Sequence, residues 1–389
     1  MKKENLYILI SNIYTKGLAY LYYFLVAFFF NTEGFGIVRA LMPILDTLTI
    51  FFSSGIPPSI AKFTAEGKKV NISILLVMII LSLIGFFLVI TIKYILGGYY
   101  LNLSDSLFYV LGLCILLSTI IAFVRGILQG TFKFGYLSLS WILESSLKVL
   151  FLIIFSFIGV IGAFLSIALS YLTVGIFFFN FVRNAIEYSL NFKYCLDILK
   201  YSIPIALTSS SFRLFGDIDN IIIMIFLGSF WSGVYGYSSL LSRGIFIVAS
   251  AISIPLLPKI AKTKNLDLLK KGLIYNTIIS LPIIIVFLLF PDIILYFFFK
   301  IKNSEGILAL RILSISSLFL SYFSIVSSAL QGLGFAKYSL CSVLFGIIIN
   351  IFLNIIMIKS YGIVGASLAT LISSLFTFVL SYIILKIKT

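Results

Sequence analysis

Apolar residues fill long blocks along this chain, and polar residues gather in short gaps between them. A block such as 74–92 is apolar on every side of a helix. About twenty helical residues, at roughly 1.5 Å each, cross a hydrocarbon layer about 30 Å thick. Strands of a membrane barrel would instead alternate apolar with polar positions, and these blocks do not alternate. A helix pairs its own backbone groups within one segment, which the lipid interior demands. The blocks predict spans near 6–30, 37–58, 70–96, 106–126, 137–158, 161–182, 197–227, 233–257, 272–299, 306–330, 338–358 and 362–385. The fold class expected is therefore an all-α polytopic membrane protein of about twelve transmembrane helices. The longest hydrophilic connections are expected near 59–69, 183–200 and 259–271. The opening Met1-Lys2-Lys3 before an apolar run has the look of a signal peptide. Lys16 interrupts that run and no small-residue cleavage site follows, so it is read as the first span.

The chain repeats itself. Leu128-Gln129-Gly130 returns as Leu330-Gln331-Gly332 at an offset of 202. Gly159-Val160-Ile161-Gly162-Ala163 returns as Gly362-Ile363-Val364-Gly365-Ala366 at 203. Pro58-Ser59-Ile60-Ala61-Lys62 returns as Pro258-Lys259-Ile260-Ala261-Lys262 at 200, and Gly36 as Gly233 at 197. Single matches are cheap in Ile- and Leu-rich sequence, but their order and nearly constant offset are not. Two lobes are expected, 1–190 and 191–389. Six spans return the chain to its starting side, so the repeat is parallel, about an axis along the membrane normal, as in many transporters.

Composition agrees. Of 389 residues 61% are hydrophobic and 11% charged, where a soluble chain would carry about a quarter charged. Mean hydropathy is +1.19. The net charge of +15 fits positive-inside loops and anionic headgroups better than nucleic acid. With the N-terminus inside, eighteen Lys and Arg fall on inner loops and tails, Lys68, Arg125, Lys133 and Lys259 among them, against three outside, Lys300, Lys302 and Lys359. Both termini are thus expected in the cytoplasm, in a plasma or inner membrane. The chain contains no histidine, and Cys114, Cys195 and Cys341 are scattered. No metal, disulfide framework or cofactor is expected. The sequence also lacks a G-x-x-x-x-G-K-[ST] loop, so energy would come from an ion gradient, the membrane potential or removal of product.

Ionisable residues inside spans are costly and are candidates for function. Deep in the predicted spans lie Lys16, Asp46, Glu144, Lys148, Arg213, Asp217, Asp219 and Arg243, four of each sign. Arg39, Lys93, Asp292 and Arg311 lie nearer the outer surface, where side chains reach water. Lys16 and Arg213 occupy equivalent places in the repeat, as do Asp46 and Arg243, each pair 197 apart. Arg213 with Asp217, and Glu144 with Lys148, share helix faces four residues apart. Two facing lobes would turn these groups into one hydrated cavity. Lys16, Arg213, Arg243 and Asp46 are the candidate substrate-binding residues, since guanidinium and ammonium groups suit a diphosphate. Asp217, Asp219, Glu144 and Lys148 are the candidate ion-coupling or cavity residues, with H+ or Na+ as the ion. The alternative for each charge is an ion pair tying helices together.

Gly216-Asp217-Ile218-Asp219-Asn220, the turn Gly228 to Gly236, Ser242-Arg243 leading to Pro255 through Lys262, and Arg125-Gly126-Ile127-Leu128-Gln129-Gly130 with Lys133 and Tyr136 form a set. This set resembles the polysaccharide-biosynthesis branch of the multidrug/oligosaccharidyl-lipid/polysaccharide (MOP) exporter superfamily. The resemblance covers essentially the whole chain. It implies two six-helix lobes around a central cavity, and a flippase carrying an isoprenoid-diphosphate-linked oligosaccharide from the inner to the outer leaflet among membrane lipids, not an enzyme. The chain departs from it in two places. Asn220 stands where many relatives have a basic residue, and the extra C-terminal helix pair of lipid II flippases is missing, which argues against that substrate. One alternative is a multidrug or cation antiporter of the same superfamily, which would want a net acidic cavity. Another is a membrane glycan polymerase or glycosyltransferase. That would need catalytic groups on a large outer loop, where this chain offers little beyond Glu33, Asp105 and Glu305.

Overall fold

The computed structural model describes residues 2–67 and 69–388; Lys68 lies outside the described residues. The chain is all but entirely helical. Every predicted span falls in helical sequence, although 272–299 divides at Phe290 into the helices Asp267–Leu289 and Pro291–Phe299; among the described residues, eight helical stretches are long and apolar enough to cross a membrane. The last of them, α13 (Ala336–Lys388), is 53 residues long and breaks at Gly362, so it has the length of two passes. It is a polytopic all-α protein. Large side chains such as Phe87, Ile278 and Phe352 stand exposed along these helices, as helices facing lipid require.

The chain divides into two compact units, Met1–Arg213 and Leu214–Thr389. The first contains α1 (Lys2–Phe29), α2 (Thr32–Thr49), α3 (Pro57–Ala65), α4 (Ser73–Leu96), α5 (Asp105–Gly130), α6 (Phe134–Phe155), α7 (Val160–Val182) and the start of α8 (Phe192–Leu227). Within it α5 is central, packing on α3, α4 and α7, while α6 packs on α1 and α7. The second contains the rest of α8 with α9 (Ser229–Thr263), α10 (Asp267–Leu289), α11 (Pro291–Phe299), α12 (Ser304–Gly332) and α13. There α12 is central, against α9, α10 and α13. The two hubs, α5 and α12, are repeat equivalents.

Local geometry follows the repeat. Gly159 and Gly362, 203 apart, both have positive φ (69° and 57°) and turn one helix sharply into the next, a conformation that glycine adopts without strain. Three residues on, Gly162 and Gly365 lie so close to the carbonyls of Phe155 and Met357 that a Cβ would collide with them.

Several expected boundaries change. The connection expected near 59–69 is mostly helix α3, and α8 already begins at Phe192. α9 runs 35 residues, about 52 Å at the helical rise, so its Lys-rich end continues beyond a bilayer as helix. Charged residues end a span without ending a helix. The expected span 37–58 is interrupted by a π-helical turn, Ile50–Ser54, and Gly55. Finally, two short strands join the first unit's connections: Val70–Asn71 (β1) pairs in parallel with Ile186–Glu187 (β2), Val70 opposite Ile186. The Asn71 side chain adds a bond to Ser189 at 2.7 Å.

Candidate functional site

In the first unit, charges from four helices form two linked groups. Arg213 on α8 donates from Nε (2.9 Å) and Nη2 (2.5 Å) to Oδ2 of Asp46 on α2. Both side chains are about one-third exposed. They line a pocket of about 200 Å3 with Lys148 of α6, Tyr171 of α7 and Tyr22 of α1. Lys148 lies over the Tyr171 ring at 5.4 Å and bonds Glu144 at 3.3 Å. Glu144 takes a second and closer cation, Arg125 Nη2 at 2.7 Å.

Arg125 was expected on an inner loop. It lies inside α5, where its Nε and Nη2 also bond the hydroxyl (3.1 Å) and carbonyl (3.0 Å) of Ser140. The same-helix pair Glu144–Lys148 is thus a triad with one cation to spare. Arg39, expected to reach water, is buried with its guanidinium 5.1 Å from the Tyr23 ring centre. Lys16 is exposed on α1 and does not line the pocket that Asp46, Lys148 and Arg213 share.

In the second unit, Arg243 on α9 bonds Asp217 on α8. Asp217 is fully buried and Arg243 partly so. Asp219, two residues on, is also buried and is wrapped in neutral donors: Thr370 Oγ1 (2.6 Å), Tyr235 Oη (2.7 Å) and Asn354 Nδ2 (2.8 Å). Asn354 also donates to Asn350 Oδ1 at 2.9 Å. Polar side chains from α9 and both parts of α13 therefore converge on Asp219 of α8. The adjacent Asn220 is buried, and its amide has no partner among the described residues.

The family model for polysaccharide biosynthesis proteins matches residues 1–261. The chain belongs to this family. An uncharacterized membrane protein of Methanocaldococcus jannaschii is 57% identical over 99% of this chain and 98% of its own length. Among solved structures, the lipid II flippase MurJ in an inward closed conformation aligns with a TM-score of 0.79 at 17% identity, over 98% of this chain and 87% of its own. An inward-facing multidrug resistance MATE transporter of the MOP superfamily aligns at 0.73 and 18%, over 99% and 94%. At that identity the likeness establishes a shared fold.

Sequence reasoning about this family member missed Tyr235, Asn350, Asn354 and Thr370, and placed Arg125 on a loop rather than inside α5. Asn350 and Asn354 carried a usable signal, two amides four residues apart in an otherwise apolar helix. Tyr235 and Thr370 carried none, because both are ordinary in membrane helices.

Proposed function

We propose that this protein flips a lipid-diphosphate-linked oligosaccharide from the inner to the outer leaflet of the cell membrane by alternating access, for cell-surface polysaccharide or glycan synthesis. The observation that carries the reading is the sign of the intramembrane charge. With Arg125 inside α5, the cations are Lys16, Arg125, Lys148, Arg213 and Arg243, against Asp46, Glu144, Asp217 and Asp219. Five meet four, before the buried Arg39 is counted. A cation antiporter would need the opposite surplus, and a diphosphate supplies the missing negative charge. Membership in the polysaccharide biosynthesis family supports the same cargo. The excess of inner-loop Lys and Arg, seventeen to three without Arg125, supports cytoplasmic termini. Asp219 has the buried oxygen cluster that a coupling H+ or Na+ would use.

The test is flipping of a fluorescent isoprenyl-diphosphate oligosaccharide in proteoliposomes. Protein-dependent flipping that is lost in Arg213→Ala is expected. Export of a lipophilic cation with no movement of the glycolipid would overturn the reading.

A further inference from the structure

The first unit contains a second pocket, of about 290 Å3, adjoining the Asp46–Arg213 pocket through Tyr171, which lines both. Its wall includes Ser54, Pro57 and Pro58, the residues flanking the break in the second span. Interrupted backbone at membrane depth survives only where protein buries it or water reaches it, and π-turns concentrate at functional sites. The repeat sharpens the point: α9 runs without a break through the equivalent residues, so the break is not required by the fold.

The rest of its lining is built for recognition. Arg125 leaves Nη1 without a partner among the described residues, and so do the indole N–H of Trp141, the amide of Gln129 and the hydroxyl of Tyr171. Aromatic faces and a few convergent free donors around a guanidinium are a recognition set for a sugar ring bearing an anion. Glu144 removes one positive charge from the neighbourhood, and Arg125 and Lys148 supply two. At the repeat equivalents of Arg125, Trp141 and Glu144 stand Ser327, Val343 and Gly346, so the set is particular to this unit.

We propose that this pocket binds a hexose 1-phosphate group, the ring against Trp141 and the phosphate on Arg125. The source of that group, on the flippase reading, is the first sugar of the lipid-linked cargo. A free sugar phosphate has the same chemistry.

The chain has two tryptophans, so Trp231→Phe leaves Trp141 as a reporter inside the pocket. With the full-length protein in nanodiscs, titration with α-glucose 1-phosphate should change Trp141 emission saturably. Arg125→Gln should weaken the response roughly tenfold, the worth of a charge-assisted bond. Gln129→Ala changes an exposed residue without partners and should weaken it too, at unchanged melting temperature. Trp141→Phe with Trp231 kept should be silent. An equal response to inorganic phosphate would reduce the pocket to a bare anion site and overturn the proposal, as would no response from folded protein. Isoprenyl-diphosphate-linked glucose in the nanodisc should compete with the soluble probe; no competition would overturn the assignment to cargo. The measurement needs no transport. Flipping with a silent Trp141 would sink the pocket and leave the flippase standing, and binding without flipping would do the reverse.

Discussion

Arg213 of α8 grips one oxygen of Asp46 of α2 with two donors, Nε and Nη2. These residues are 167 positions apart, and each is the repeat equivalent of a different charge: Arg213 of Lys16, Asp46 of Arg243. Both remain about one-third exposed, so the pair can open toward a ligand at small cost. Ion pairs this accessible contribute about 1 kcal/mol or less.

Loss of either member should therefore spare the fold. Arg213→Ala and Asp46→Ala are each expected to shift the melting temperature in detergent by only a few degrees, while Arg213→Ala abolishes flipping. Arg213→Lys should restore part of the activity, since charge is kept and the fork geometry lost. If the doubly substituted Arg213→Ala/Asp46→Ala protein flipped normally, the arginine would be a structural tie and not a cargo group.

The pair in the second unit should respond differently. Asp217 is fully buried beneath Arg243, and a buried carboxylate that loses a cation is costly. Arg243→Ala should destabilise by more than the exposed pair does, towards the roughly 3–5 kcal/mol seen when buried pairs lose one partner. Adding Asp217→Asn should recover most of that stability but not flipping. Equal melting temperatures for Arg213→Ala and Arg243→Ala would refute this ranking.

The helices were legible because their signal is long and redundant: twenty apolar residues leave no other reading in lipid. The repeat was legible in its turns, at Gly159 and Gly362, where backbone conformation restricts the residue. Loop boundaries were not, because Lys-rich ends such as that of α9 stay helical outside the apolar layer. The ionisable residues could be listed, but their partners could not. Arg213 finds Asp46, and Glu144 finds Arg125, through helix packing that no local spacing encodes. Arg125 was misplaced because it stands five residues before Gly130 at the end of α5, where a positive charge reads equally well as the start of an inner loop. The repeat also hides a division of chemistry. Asp219 corresponds to Tyr22, whose hydroxyl donates to the Ala163 carbonyl at 2.8 Å, and Lys148 corresponds to Asn350. At these two pairs of positions the first half of the repeat carries a tyrosine and a cation where the second carries a buried acid and an amide.

Orientation can be tested by labelling. Cys114 and Cys195 are buried and Cys341 is exposed, so the background needs Cys341→Ser. A cysteine at Thr263, the end of α9, should react only from the cytoplasm, and one at Ser104, before α5, only from outside. Reversed accessibility would invert the direction of transport proposed here.

Asp219 offers the test of energy coupling. Its carboxylate accepts from Thr370, Tyr235 and Asn354, all neutral, and none of these cancels a full negative charge in a buried site. Isolated buried charge is expensive, so the group either takes up a proton or holds a cation among the oxygens of Asn350, Asn354 and Thr370. Asp219→Asn keeps the shape and, with its oxygen toward Thr370 and Tyr235, both acceptor contacts to hydroxyls; it gives up the bond from Asn354, a loss that relief of the buried charge offsets, and it removes the charge that either ion requires. The variant should fold as well as the parent, and its flipping, where it persists, should no longer respond to a Na+ or pH gradient. Na+ against choline at fixed pH separates the two ions: stabilisation of the parent by Na+ that disappears in Asp219→Asn points to sodium, and stability that responds to pH alone points to a proton. Gradient dependence unchanged in Asp219→Asn would remove the carboxylate from coupling and leave it as a buried tie between α8 and α13.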